Sequence, residues 1–269
     1  MTTRHVRAAW PILAIAFVFA GCDISVGDGN FSIGLLSGKA TDQWTRTYKL
    51  ASGAELEISN VNGLIDVVEG AGDVEVRAER TSKASSDDAA RALLAHLDMR
   101  EDVTPNHVRI EAKVPSGGGL RQSLEVKYHV RVPAGVGVKL ETVNGKISLT
   151  GLSGRADADT TNGGVTATDL SGPVKVATVN GGVEIEVKAV APDGIEMTAV
   201  NGGVRLRLPA AAKADLDASC TNGRVSVAGG LNLETSENSS RQVSGRLNGG
   251  GPRVHLETTN GGVHIAARE

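Results

Sequence analysis

The chain has 269 residues, 22% of them charged and 40% hydrophobic, with 34 glycines and a net charge of −3. So modest a charge with so large an apolar share excludes a disordered chain. Acids outnumber Lys and Arg, 31 to 28, without a basic run, which argues against a nucleic-acid binder. A single apolar stretch at the extreme N-terminus excludes a multi-span membrane protein.

That stretch is the first element. Arg4 and Arg7 precede an apolar run from Ala8 to Ala20, and no acid occurs before Asp23. The pattern predicts a secretory signal over residues 1–21, too short for a membrane span. It ends Phe19-Ala20-Gly21-Cys22, which resembles the lipobox of bacterial lipoproteins, with Phe19 where Leu is usual. The resemblance implies that Cys22 is lipidated and becomes the first mature residue. Asp23 after it resembles an inner-membrane retention signal of enteric bacteria. Removing residues 1–21 leaves 26 Lys and Arg against 31 acids, a net −5. Such a surface has no electrostatic reason to bind anionic lipid, so the membrane tether would be the lipid anchor alone. Cys22 and Cys220 are the only cysteines. Acylation of Cys22 leaves Cys220 single; the rival arrangement is a disulfide between them. Residues 22–42, rich in Gly, Ser and Asp, read as a flexible tether.

Residues 43–132 predict an irregular β-rich part. Leu56 and Ile58, then Ile65 and Val67, frame Asn62 like a first coil. Val74 and Val76, Val108 and Ile110, and Leu124 to Val132 read as further strands. Ser85-Ser86-Asp87-Asp88 before Ala89 to Met99 predicts one capped amphipathic helix with Leu93, Leu94 and Leu97 on its apolar side, covering an edge or end.

Residues 133–269 carry a repeat. An Asn-Gly corner recurs at Asn144, Asn162, Asn180, Asn201, Asn222 and Asn260, after a first instance at Asn62. The steps from Asn144 are 18, 18, 21 and 21 residues, then 38, which fits two coils with a degenerate turn near Leu247-Asn248-Gly249. Apolar residues alternate on both sides of each corner, as in Val174, Val176, Thr178 before and Val183, Ile185, Val187 after. Cys220 falls in the inward slot that Thr or Ala fills elsewhere, so it reads as a small core residue.

Two architectures fit. Asn-Gly between alternating runs is a hairpin signal, so an antiparallel meander is one. The other is an all-β, parallel β-solenoid of 18–21-residue coils. The preserved period favours the solenoid, and so does asparagine at one coil position, where stacked amides can bond into a ladder. Glycine would follow to supply positive φ. Neighbours one period apart lie about 4.8 Å from each other. Glu184 then meets Arg205, Glu186 meets Arg207, and Lys139, Asp157, Lys175 and Glu196 alternate in sign. Glu196 beside Asp217 breaks the column.

Tyr128-His129-Val130-Arg131-Val132-Pro133, then Leu140-Glu141-Thr142-Val143-Asn144-Gly145-Lys146-Ile147 and the serial Thr-x-Asn-Gly-x-Val units, resemble the bacterial "putative adhesin" family of β-strand-repeat domains over roughly residues 45–269. The resemblance implies an extracytoplasmic, solenoid-like domain, often lipid- or helix-anchored. It supplies no catalytic residues.

Candidate chemistry is sparse. The Asn-Gly-Gly corners lack the strand-to-helix context of phosphate loops. Gly117-Gly118-Gly119 and Gly249-Gly250-Gly251 read as loops, and no corner carries a calcium-roll nonapeptide. Asp157 and Asp159 share an outward face and read as solvated. His255, Glu257 and His264 flank the last corner, short of a zinc set unless the strands fold back together. His107 and His129 show no partner. Residues 133–269 hold no aromatic platform for sugars or bases. The expected function is a non-enzymatic, cofactor-free, lipid-anchored envelope protein on the periplasmic side of the inner or outer membrane. Its partners would be an unknown envelope protein or surface component. A regulatory lipoprotein of an envelope-stress pathway and a β-helix carbohydrate-active enzyme are the alternatives.

Overall fold

The computed structural model describes residues 24–25, 32–33, 37–113 and 123–268. The expected signal, Cys22 and Gly117-Gly118-Gly119 lie outside the described residues. The chain divides into two units, Met1–Leu35 and Leu36–Glu269. In the first, Ile24–Ser25 pairs antiparallel with Ser32–Ile33. Residues 38–42, expected as tether, belong to strand Gly38–Tyr48 of the second.

The second unit is a parallel β-solenoid with, among the described residues, two facing sheets and one short helix. The sheet built from pre-corner strands has spatial order Leu233–Asn238, Gln242–Leu247, Ala214–Asn222, Arg253–Asn260, Ile195–Asn201, Val174–Asn180, Ala156–Asn162, Gly137–Asn144, Glu55–Asn62, His107–Lys113, Asp98–Val103. The post-corner sheet runs Val225–Val227, Val263–Ala267, Val204–Leu208, Val183–Val187, Val165–Leu170, Ile147–Thr150, Ile65–Glu69, Ser123–Val132, Val74–Ala84, Gly38–Tyr48. Coil stacks on coil in register: Val138 lies beside Ala156, then Val174, Ile195, Val254 and Leu216. The body pairing is parallel throughout, which rules out the hairpin meander. Among the described residues of this unit, antiparallel pairs occur only toward the two ends.

Alternation explains the packing. Every second residue points between the sheets, and Leu140, Ala158, Val176, Met197 and Leu256 are essentially fully buried. Burying a Val or Leu side chain contributes about 1.5–3 kcal/mol, so a thin core of such residues suffices when every coil repeats it. Cys220 sits in the neighbouring inward row, beside Thr258, buried and, among the described residues, free.

Spatial order departs from chain order at both ends. Coil 253–267 inserts between coils 195–208 and 214–227. Residues 228–252 therefore do not form the extra coil that the 38-residue step suggested. They supply an antiparallel hairpin, Leu233–Asn238 with Gln242–Leu247, that edges the pre-corner sheet. Asn248 is not a ladder corner: its φ is 49°, and its Nδ2 donates to Ala210 O at 3.0 Å and Ala212 O at 2.8 Å. At the other end, coil 55–69 lies between coil 137–150 and the strands His107–Lys113 and Ser123–Val132. Both sheets thus run unbroken across the expected division at residue 133, because parallel strands far apart in sequence pair there.

Helix Asp87–Ala95 starts on Ser86, whose hydroxyl accepts from Ala89 N at 3.2 Å. It ends four residues before the predicted Met99. Residues 98–103 instead pair antiparallel with His107–Lys113, and tertiary pairing overrides helical periodicity. Leu94 and Leu97 join Trp44, Tyr48 and Tyr128 in the core at this end.

Candidate functional site

The corner is the molecule's most regular feature. Asn144 Nδ2 donates to Asn62 Oδ1 at 2.8 Å, and Asn162 to Asn144, Asn180 to Asn162, Asn201 to Asn180 and Asn260 to Asn201, each at 2.9 Å. Asn222 closes the series on Asn260 at 2.8 Å. At the other end Asn62 Nδ2 donates to Leu124 O at 3.1 Å. One backbone bond accompanies each step: Gly163 N donates to Asn180 O, Gly181 N to Asn201 O, Gly202 N to Asn260 O and Gly261 N to Asn222 O. Below the ladder, Thr160, Thr178 and Thr258 donate their hydroxyls to Gly145 O, Gly163 O and Gly202 O. Thr142 is the exception. Asn60 Nδ2 reaches Gly63 O, the corresponding acceptor, and the buried Thr142 hydroxyl has no partner among the described residues.

Glycine follows the asparagine for a reason other than the one expected. Among these corners only Gly63 and Gly261 have positive φ. At Gly145, Gly163, Gly181, Gly202 and Gly223 a Cβ would instead collide with the glycine carbonyl of the adjacent coil. Close stacking, not dihedral freedom, requires glycine there. The second glycine is less constrained: a Cβ on Gly182 or Gly203 would stand 3.5 or 3.4 Å from its nearest neighbour. Lys146 and Arg224 fill that slot in other coils.

The outer face of the pre-corner sheet carries a column Glu57, Lys139, Asp157, Lys175, Glu196, His255, Asp217. Its signs alternate from Glu57 to Glu196. The inserted coil places His255 between Glu196 and Asp217, so the clash expected from sequence does not arise. His255 Nδ1 lies 3.2 Å from Asp217 and its Nε2 3.7 Å from Glu257. Lys139 reaches Glu57 at 3.1 Å and Glu141 at 3.3 Å, Lys175 reaches Glu196 at 3.4 Å, and Arg155 reaches Asp157 at 3.2 Å. Glu57 is the buried member. Burial pushes its carboxyl up, but the hydrogen bond and charge of Lys139, with Arg109 and His107, outweigh it and hold the pKa below its ordinary value. The same bonds to Glu57 and Glu141 raise Lys139. His107 thus has a partner, Glu57 at 3.2 Å, and His129 lies 3.7 Å from Asp66.

Beside this column a groove of 580 Å³ runs along the corner, walled by Glu141, Asp159 and Thr198 on one side and Val143, Val179 and Val200 on the other. These valines and Val61 are exposed, a stripe one residue before the asparagines. Asp159 has no salt bridge among the described residues; burial first, then Glu141 and Asp157, raise its pKa.

On the post-corner sheet the pairs Glu184–Arg205 and Glu186–Arg207 stand in register, with Arg205 3.4 Å from Glu184. Arg207 divides itself between Glu184 at 3.4 Å and Glu186 at 4.0 Å. His264 lies on this sheet, 2.9 Å from the Ser226 hydroxyl, while His255 lies on the other. The two histidines therefore do not share a face. Among the described residues no group of three or more His, Cys, Asp or Glu is arranged to hold a metal ion, and no helix is long and apolar enough to cross a membrane.

A family model recognises most of the stretch that carries these stacked corners and facing sheets: Toastrack DUF4097 matches residues 24–266. The chain belongs to the Toastrack DUF4097 family. No curated protein matches it. Among solved structures, a "putative cell adhesion protein" from Clostridium sporogenes is 11% identical, covering 85% of this chain and 100% of its own, with a TM-score of 0.49. A "putative adhesin" from Bacteroides fragilis is 12% identical, covering 84% and 97%, with a TM-score of 0.39. A "putative lipid binding protein" from Parabacteroides distasonis is 10% identical, covering 85% and 97%, with a TM-score of 0.24. For this Toastrack chain, the ladder and the two outer faces are the features on which a functional reading can stand.

Proposed function

We propose that this Toastrack protein is exported, anchored by a lipid on Cys22, and acts without catalysis. It presents the outer faces of its solenoid to a protein or surface component of the cell envelope. The observation that carries this reading is the self-pairing of the outer columns. Lys139, Lys175, Arg155, Arg205 and Arg207 each meet carboxylates within 4.0 Å, many of them on a neighbouring coil. Each such exposed pair contributes only about 0–1 kcal/mol. Together they make the columns polar and self-paired, suited to contact, beside the shallow groove edged by Val143, Val179 and Val200. Export and anchoring rest on the N-terminal pattern around Cys22.

Two experiments test it. Radiolabelled palmitate should enter the protein in cells, and Cys22→Ala should abolish the label. Crosslinking in intact cells should capture a discrete envelope partner. Asp159 favours the carbohydrate-active alternative, since its carboxyl is raised and lines a groove. Polysaccharide turnover by purified protein, lost in Asp157→Ala or Asp159→Ala, would establish that alternative and overturn the non-catalytic reading.

A further inference from the structure

The seven Asn-Gly corners are chemically alike but not held alike. In each interior corner the next coil locks both groups that could react with one another. At Asn180-Gly181, the side-chain Oδ1 accepts from Asn201 Nδ2, and Gly181 N donates to Asn201 O. The same two bonds hold the corners at Asn62, Asn144, Asn162, Asn201 and Asn260. Coil 214–227 is the last coil in space among the described residues, and none of them stacks on Asn222. Its Nδ2 donates to Asn260, but among the described residues neither its Oδ1 nor Gly223 N has a partner. The C-terminal hairpin does not fill the gap. It reaches Cys220 N and Val225 N through the carbonyls of Arg241 and Ser240, and leaves the exposed residues 221–224 between them uncovered.

We propose that Asn222-Gly223 is a site of spontaneous covalent modification, where the asparagine converts to aspartate and isoaspartate while the other corners are protected by the stack. The Gly223 amide nitrogen loses its proton and attacks Asn222 Cγ. The new N–Cγ bond closes a five-membered succinimide, and the Cγ–Nδ2 bond breaks. Nδ2 leaves as ammonia, carrying the proton that the Gly223 amide gave up. Water then adds to one of the two ring carbonyls and opens it to aspartate or isoaspartate. Glycine admits the attack because no side chain shields its nitrogen. In an interior corner the same attack first requires release of the Gly N–H from one carbonyl and of Oδ1 from one amide, both supplied by the next coil. Asn248-Gly249 is restrained in another way, its Nδ2 bound to two carbonyls.

The product is confined to the terminal coil. A carboxylate at residue 222 cannot donate to Asn260 Oδ1, so the last rung detaches from the ladder. The other five amide bonds remain.

The test is peptide mapping of the full, folded chain after incubation at mildly alkaline pH. Tryptic peptide 214–224 contains a single asparagine, Asn222, and peptides 156–175 and 176–188 each carry one interior corner. The 214–224 peptide should gain the mass increment of an amide-to-acid change about thirtyfold faster than the other two, the factor for releasing two net hydrogen bonds. In urea the three rates should converge. Asn222→Gln should remove the signal and leave the interior corners slow. Interior corners converting in the folded chain as fast as Asn222, or an Asn222 that reacts only in urea, would overturn the proposal.

Discussion

The two ends of the solenoid face the same problem and solve it differently. A stack of parallel strands ends in unpaired backbone and in an open core. At the N-terminal end the solution is bulk. Trp44, Tyr48 and Tyr128 fill the core with Leu94 and Leu97, and the helix packs on the long strands Gly38–Tyr48 and Val74–Ala84. The outermost strands of the two sheets are tied together there: Tyr48 donates to Glu101 at 2.6 Å, and Arg46, which also lies over the Trp44 ring, reaches it at 3.2 Å. At the C-terminal end the solution is backbone pairing. A hairpin supplies the missing hydrogen bonds, with only Val243 and Leu247 buried from it, and its outer strand Leu233–Asn238 is largely polar and exposed. An end sealed by volume should be sensitive to side-chain truncation, and an end sealed by hydrogen bonds to backbone register.

The largest effect should come from Tyr128→Ala, about 3–5 kcal/mol by urea denaturation, since it empties a fully buried aromatic site. Leu247→Ala at the other end should cost about 2–3 kcal/mol. Equal costs would erase the contrast between the ends. Tyr128→Phe sharpens it: the buried hydroxyl has no partner among the described residues, so removing it should stabilise by about 1 kcal/mol.

Next is the stack between the ends. Gly181→Ala should destabilise by about 2–3 kcal/mol, because its Cβ meets the Gly163 carbonyl of the coil before. Gly182→Ala should stay within about 0.5 kcal/mol of the parent, where there is room. A similar loss from both would return the corner to a dihedral explanation. Interior and terminal rungs should also differ. Asn180→Asp breaks a link on one side and sets a carboxylate among acceptors, costing about 2 kcal/mol, whereas Asn222→Asp loses one exposed bond, about 1 kcal/mol.

The smallest effect is one of pH. The Glu57 carboxyl is depressed in the folded chain, so its contribution is complete above the ordinary value of 4.5 and is lost as pH falls through the lower folded value. Asp159 has the opposite sign: its raised pKa means that the folded state gains as pH falls into the acid range. Glu57→Gln should therefore flatten the acid limb of a stability–pH curve, and Asp159→Asn should stabilise slightly at neutral pH. A steeper limb in Glu57→Gln would contradict the assigned direction.

Much of this was legible in the residues. Period-two alternation around each corner named the buried set, and Leu140, Val176 and Leu256 are where it placed them. The spacing of 18 to 21 residues distinguished coils from hairpins, because equal lengths matter only when coils stack. The pairs Glu184–Arg205 and Glu186–Arg207 followed from the period alone. The helix extent did not, since Leu97 and Met99 continue a helical pattern that strand pairing cuts short. Neither did the partners of His107 and His129, which lie 50 and 63 residues away in sequence.

Sequence by itself determined the rung: which residues face in, where the chain turns, and that asparagine and glycine stand at the turn. Alternation and corner chemistry are local, so they survive without knowledge of neighbours. The order of the rungs was decided only in three dimensions. Any coil offers the same edge to any other, so periodicity cannot say that residues 253–267 slip between 195–208 and 214–227. That choice puts His255 between two acids, gives the 38-residue step to a hairpin, and leaves Asn222 as the corner without a coil above it.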